Sequence, residues 1–175
     1  MMDNNRLWQE DGGVRIDEAN EGDLPAILAI HNEVVANSTA IYTNAPSTLA
    51  ERAAWREQRL AQGYPVLVAR DGDEVLGFSS FGDWRAWPGY AATVEHSVHV
   101  RADVRRQGVG RALLSALPDR ARALGKHVML GGIDADNAAS RALHIRLGFE
   151  EVAHFHQVGR KFDRWLDLVF AQLIL

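Results

Sequence analysis

The chain has 175 residues, 47% of them hydrophobic and 24% charged, with a formal net charge of −4 and no cysteine. That length suits one domain with a sizeable core, and the acidic balance gives no general reason to expect nucleic-acid binding. The missing cysteines exclude disulfides, cysteine zinc sites and a cysteine nucleophile, and no apolar run approaches the ~18 residues of a membrane span.

Residues 1–13 are polar and acidic rather than basic and then apolar, so no export signal is read there. They are expected to form a flexible N-terminal extension, with a single cytoplasmic domain over residues 14–175. Val14-Arg15-Ile16 alternates as a short strand. Asn20 to Asp23 supplies caps for a helix carrying Leu24, Ile27, Leu28, His31, Val34 and Val35, with Pro25 in its first turn. Residues 36–46 have no sustained period and read as a loop in which Ile41 and Tyr42 are placed to line a pocket. Thr48 with Glu51 has the spacing of a capping box, opening a second helix that stops near Gly63.

Residues 65–69 and 75–78 flank Asp71-Gly72 and read as an antiparallel hairpin. Asp83-Trp84-Arg85-Ala86-Trp87-Pro88-Gly89-Tyr90 then sets aromatics around an arginine, which suits stacking on and pairing with a small acid. A surface loop packed by its own tryptophans has the same composition. Residues 93–100 alternate as a strand, with Glu95, Ser97 and His99 on one face and Val94, His96, Val98 and Val100 on the other.

That strand runs into Arg105-Arg106-Gln107-Gly108-Val109-Gly110-Arg111, a basic turn opening an amphipathic helix over residues 109–124, which Pro118 should kink. A helix start leaves its first N–H groups unpaired and attractive to anions. Gly108 and Gly110 allow a phosphate to approach the main chain, and the arginines add charge. A plain strand-to-helix turn with solvated arginines fits the same residues. The turn lacks the Lys-[Ser/Thr] ending of a P-loop and the spacing of a dinucleotide fingerprint.

Residues 127–133 read as a buried strand, and the strand-helix-strand order makes it a parallel partner of residues 93–100. Asn137 starts a helix of small residues that ends at Leu147-Gly148-Phe149. Residues 151–157 and 165–173 form a last strand pair joined through Gly159-Arg160-Lys161. His154 and His156 share a strand face, but no cysteine or obvious third ligand accompanies them, so no metal is expected.

Taken together, the segments from Val14 to the C-terminus resemble the GNAT superfamily of acetyl-CoA-dependent N-acetyltransferases. The basic turn matches that family's [Arg/Gln]-x-x-Gly-x-[Gly/Ala] motif, and residues 137–149 match its Asn-x-x-[Ala/Ser]…Gly-Phe segment. Residues 63–68, 81–85, 93–98 and 161–168 are similar to the phosphinothricin and methionine sulfoximine acetyltransferase subgroup. The resemblance implies an α/β (α+β) fold: a mixed, mostly antiparallel sheet with a central parallel strand pair, flanked by helices. It also implies acetyl-CoA as co-substrate, a small glutamate-like amino acid acetylated on its α-amino group, and a homodimer. By the same resemblance, Val98, His99 and Val100 border the pantetheine arm. Arg105, Arg106, Gln107, Gly108, Val109, Gly110 and Arg111 hold the diphosphate, and Asn137 and Ser140 border the cofactor.

An amine attacks a thioester only as the free base, so a proton acceptor is needed, and Glu95 matches the subgroup's carboxylate. Otherwise it is a strand carboxylate paired with an arginine. His144 is read either as the acid toward the departing thiolate, or a relay with Glu95, or as a helix histidine satisfied by a carbonyl. Without a cysteine, direct attack in a ternary complex is expected. Arg85 is the first choice for the acceptor carboxylate, with Arg160 and Lys161 behind it, and Trp84, Gly89, Tyr90 and Tyr42 are expected around the acceptor. The rival readings are acetylation of a polyamine, an antibiotic or a protein N-terminus, or a non-catalytic acyl-CoA sensor.

Overall fold

The computed structural model describes residues 13–175, so the extension expected over residues 1–13 lies, except for Gly13, outside the described residues. The period-2 segments become β1 (Arg15–Glu18), β2 (Val66–Asp71), β3 (Glu74–Asp83), β4 (Thr93–Val100), β5 (Val128–Asp134), β6 (Glu150–Lys161) and β7 (Arg164–Ile174). They form one sheet in the order β1-β2-β3-β4-β5-β7-β6. Every neighbouring pair is antiparallel except β4 and β5, which run parallel. The helices are α1 (Leu24–Asn37), α2 (Leu49–Ala61), α3 (Val109–Ser115), α4 (Leu117–Ala123) and α5 (Ala138–Arg146).

Helices on both sides leave the central strands without a wet face, which explains why residues 66–70 of β2 are all buried. Val66 and Val68 pack with Ile27, Ile30 and Phe78 on the side of α1 and α2. Leu67 and Ala69 pack with Leu113, Leu114, Leu117 and Ala121 on the side of α3 and α4. Period 2 along each strand thus feeds two separate cores.

Four boundaries differ from the expected ones. The helix expected over residues 109–124 is two helices, because Pro118 cannot donate into a continuous ladder. The chain bends at Ala116 and Pro118 takes a first-turn place in α4. Asp23 caps α1 with backbone only, its carboxylate instead closing a capping box with Asn20 on the preceding 3-10 turn. The last hairpin turns at Phe162 and Asp163, with φ of 50° and 58°, rather than at Gly159-Arg160-Lys161. Phe-Asp is an uncommon pair for a turn needing two positive φ values, so composition pointed at the nearby glycine instead. Finally, β6 and β7 are longer than the alternation predicted and carry register shifts at 151/153 and 155/159.

Candidate active site

The parallel ladder between β4 and β5 covers only Thr93–Val128, Val94–Met129 and Glu95–Leu130. Beyond Glu95 the two strands part, although β4 continues to Val100 and β5 to Asp134. The facing edges of residues 96–100 and 131–134 are therefore not bonded to each other, and a wedge opens in the sheet. Each strand leads toward a helix start: β4 through the basic turn to α3, β5 through Asn137 to α5. The start of α3 packs closely against the end of β4 and the body of α5, since a Cβ at Gly110 would lie 3.5 Å from Val100 and 3.8 Å from Leu143. Val98 and Val100 line β4 with their side chains packed toward the α3 core, leaving the main chain of that edge toward the wedge.

At the turn, Gly108 holds φ 90° and no side chain caps α3. Arg106 is also left-handed, at φ 67°, a conformation that a non-glycine residue adopts only where the surrounding chain demands it. Arg106 is exposed and no hydrogen bond or ion pair ties it among the described residues. Arg105 is already engaged, by Glu33 at 2.6 Å and the Val100 carbonyl at 3.3 Å, and Arg101 is engaged by Asp103 and Glu74. Gln107 donates to the Asp103 carbonyl, Val109 is buried, and Arg111 stands exposed in the first turn of the helix. Asn137 accepts from the Ser140 amide at 3.1 Å, so it caps α5 while remaining exposed.

Glu95 lies at the apex of the wedge. It points across β5 to Gly132, where a Cβ would lie 3.1 Å from its carboxylate. Among the described residues it has no hydrogen-bond or salt-bridge partner, and burial raises its pKa above the ordinary value. The arginine-paired carboxylate allowed by the sequence is therefore not what the fold contains. A desolvated, unpaired carboxylate with a raised pKa has the electrostatic profile of a proton acceptor.

Glu95 and His144 are not together. Consecutive residues of a strand face opposite sides, so Glu95 points toward the α1–α2 side and His96 toward α5. The histidine that His144 meets is therefore His96, which sequence reading passed over. The two rings stack with centroids 5.0 Å apart and lie edge-on to Phe149. His144 Nδ1 is 2.7 Å from the Ser140 carbonyl and its Nε2 is 3.1 Å from His96 Nε2. A carbonyl only accepts, so His144 carries its proton on Nδ1 and its Nε2 accepts from His96 Nε2–H. His96 Nδ1 is left as a buried acceptor without a partner among the described residues. Burial keeps both rings neutral, lowering the pKa of His144 and taking that of His96 to about 3.

Adjacent glycines serve the two sides of the wedge. A Cβ at Gly131 would lie 2.5 Å from His96 Nε2 and 3.0 Å from His144 Nε2, and Gly132 leaves room for Glu95 on the opposite face. Two glycines inside a strand were the signal for this crowding, because strand glycines mark close approach. His99 faces neither group. It packs against Phe78 and His31 of α1, and burial lowers its pKa to about 4.

The residues expected around the acceptor separate into two kinds. Trp84, Arg85, Gly89 and Tyr90 lie in the loop after β3, whose Gly82 is opposite Glu95 in register. Trp84 meets Tyr90 edge-on at 5.1 Å, Arg85 stacks over Trp84 at 4.6 Å, and Gly89 is exposed with open space around it. Arg59 of α2 lies over Gly82, in space that a Cβ would fill, and its buried Nε has no partner among the described residues. By contrast, Tyr42 and Lys161 fasten the α1–α2 loop. Tyr42 donates to the Asp167 carbonyl at 3.0 Å, and burial takes its pKa to about 12. The buried Lys161 donates to the carbonyls of Ser38 at 2.6 Å and Ile41 at 2.8 Å. That revises the expectation for Lys161: its ammonium is spent on main-chain carbonyls of the loop rather than presented to a ligand.

The same architecture recurs in known proteins. The model of the acetyltransferase (GNAT) family matches residues 27–149. A Pseudomonas aeruginosa protein named L-methionine sulfoximine/L-methionine sulfone acetyltransferase is 56% identical over 161 residues, covering 91% of this chain and 94% of that protein. A putative acetyltransferase from Salmonella typhimurium, solved with acetyl-CoA, superposes with a TM-score of 0.91 at 48% identity, covering 94% of this chain and 95% of that one. A GNAT superfamily phosphinothricin acetyltransferase from Sinorhizobium meliloti, in complex with acetyl-CoA, gives a TM-score of 0.91 at 35% identity, covering 94% and 89%. The divided β4–β5 ladder, the uncapped glycine turn and these matches agree: the chain belongs to the GNAT acetyltransferase family.

Proposed function

We propose that the protein transfers the acetyl group of acetyl-CoA to the α-amino group of a small glutamate-like amino acid, of the methionine sulfoximine, methionine sulfone or phosphinothricin type. The observation that carries this is the unpaired, desolvated Glu95 at the point where β4 and β5 part. Support for the acceptor comes from the Pseudomonas and Sinorhizobium relatives. Acetyl-CoA supplies an electrophilic thioester carbon and a thiol leaving group.

In this reading the N–H groups from Val109 to Arg111, with Arg106, hold the diphosphate, and the β4 edge at Val98 and Val100 aligns the pantetheine arm. Glu95 accepts the ammonium proton of the acceptor, directly or through one water. Free β4 amides beyond Glu95 stabilise the negative oxygen as attack proceeds. On the other face, His96 and His144 hold a neutral relay whose protons are already ordered by the Ser140 carbonyl. Arg85 holds the acceptor carboxylate, with Trp84, Gly89 and Tyr90 beside it and Arg59 as a second cation on that side.

The reaction belongs in the cytoplasm, where acetyl-CoA is available. A homodimer is part of the same proposal, with Phe162 and Trp165, exposed at the tip of the last hairpin, as its contact. Thiol release from acetyl-CoA tests the function against methionine sulfoximine, methionine sulfone, phosphinothricin, glutamate, spermidine and an alanine-initiated peptide. Preference for the first three is expected. Faster release with spermidine or the peptide would reassign the acceptor, and acetyl-CoA uptake without acceptor-dependent release would make the protein a sensor.

A further inference from the structure

Away from the wedge, the bulge between β6 and β7 brings together the third ligand that the sequence did not reveal. We infer that His154, His156 and Asp167 form a binding site for a divalent transition-metal ion of the zinc, copper or nickel class, separate from the acetyl-transfer chemistry. His154 Nε2 lies 2.9 Å and His156 Nδ1 2.8 Å from the same oxygen, Asp167 Oδ2. All three ligand atoms fall within 4.8 Å of one another. Metal–nitrogen bonds of about 2.0–2.1 Å in tetrahedral geometry need ligand atoms about 3.3 Å apart, so the carboxylate has to open from each ring by about half an ångström and the two ring nitrogens have to settle at the same spacing.

The arrangement is held by the chain around it. Two histidines at i and i+2 share a strand face, and the bulge between Phe155 and Gly159 sets Asp167 across from them. The Gln157 amide, from a residue at φ 55°, donates to Asp167 Oδ1 at 2.9 Å. That bond turns Oδ2 toward the rings, the role an outer-shell donor plays for a ligating carboxylate. The carboxyl is also kept ionised, its pKa taken down to about 2, first by the Gln157 amide and then by His156 and His154. Both rings are exposed, which leaves an entry path and open positions for water. Imidazole with one carboxylate suits zinc, copper and nickel better than calcium or magnesium, which prefer oxygen ligands. Without an ion, the same oxygen serves as a shared acceptor for the two rings.

Calorimetric titration of tag-free, chelator-stripped protein with ZnCl2 and NiCl2 tests the site, with CoCl2 added to read visible absorption bands. One equivalent is expected to bind with micromolar dissociation, raising the melting temperature, while MgCl2 does neither. His156→Ala removes an exposed side chain and should weaken uptake at least tenfold while melting like the wild type in EDTA, and Asp167→Asn should do the same to uptake. Because acetyl transfer does not use the ion, thiol release with EDTA should match that without it. No uptake at millimolar ZnCl2, or equal uptake by the wild type and both variants, would overturn the site.

Discussion

At Glu95 the decisive property is isolation. A carboxylate bound to an arginine would be ionised but poorly basic, whereas burial without a partner raises proton affinity toward the range useful for general-base work. Glu95→Gln keeps the shape and removes the basicity, so kcat should fall by roughly 10²- to 10⁴-fold with acetyl-CoA affinity unchanged. Steady-state kinetics with calorimetry on the variant check this, and a kcat within a few-fold of wild type would exclude Glu95 as the base. The raised pKa adds a sign: activity should drop as pH falls through a value above the ordinary 4.5, because protonation removes the acceptor.

At the scale of elements, the wedge depends on two strand-to-helix connections that differ in how they end. α5 is capped by the Asn137 side chain, so one of its first amides is already occupied. α3 begins at Gly108 with no side-chain cap, which leaves its amides for a ligand. Gly108→Ala forces a Cβ into φ 90°, at a cost of about 1–2 kcal/mol, although space around it is open. The strain should shift the turn, so KM for acetyl-CoA should rise several-fold while KM for the acceptor changes little. An unchanged KM for acetyl-CoA would separate the turn from cofactor binding. Lys161 belongs to this scale too, since its two bonds to the carbonyls of Ser38 and Ile41 hold the α1–α2 loop against the last hairpin.

Over the whole molecule, several histidines are held neutral by the fold. His96 and His99 have pKa values near 3 and 4, while the unfolded chain protonates them near 6.5. A histidine whose folded pKa is depressed contributes nothing adverse above the unfolded value. Below it the unfolded state takes up protons that the folded state refuses, and stability is lost as pH falls. Each group adds a slope of up to about 1.4 kcal/mol per pH unit between 6.5 and its folded value. Through these two rings, denaturant unfolding at pH 7.5 and 5.5 should therefore differ by up to about 2.7 kcal/mol in favour of the higher pH, and less to the extent that water reaches them. Equal stabilities at the two values would show that these histidines are solvated in the folded state.

Local chemistry made much of this legible. Asn20, Thr48 and Gly148 marked helix ends because capping and positive φ need only neighbours in the chain. The Asp71-Gly72 hairpin and the alternation of residues 93–100 were readable for the same reason. The glycine turn of residues 105–111 was readable as a helix start because its positive φ and unpaired first amides follow from backbone geometry alone. What the tertiary structure decided are pairings between residues distant in sequence. His96 meets His144 across 48 positions, and the residue expected to join His144, Glu95, faces the other side of the sheet. Lys161 reaches Ser38 across 123 positions, and Asp167 reaches two histidines only because a bulge shifts the register of β6. Sequence spacing sets which face of an element a side chain occupies, but contact across elements depends on strand order, register and divergence, and these are settled by packing the whole sheet between its helices.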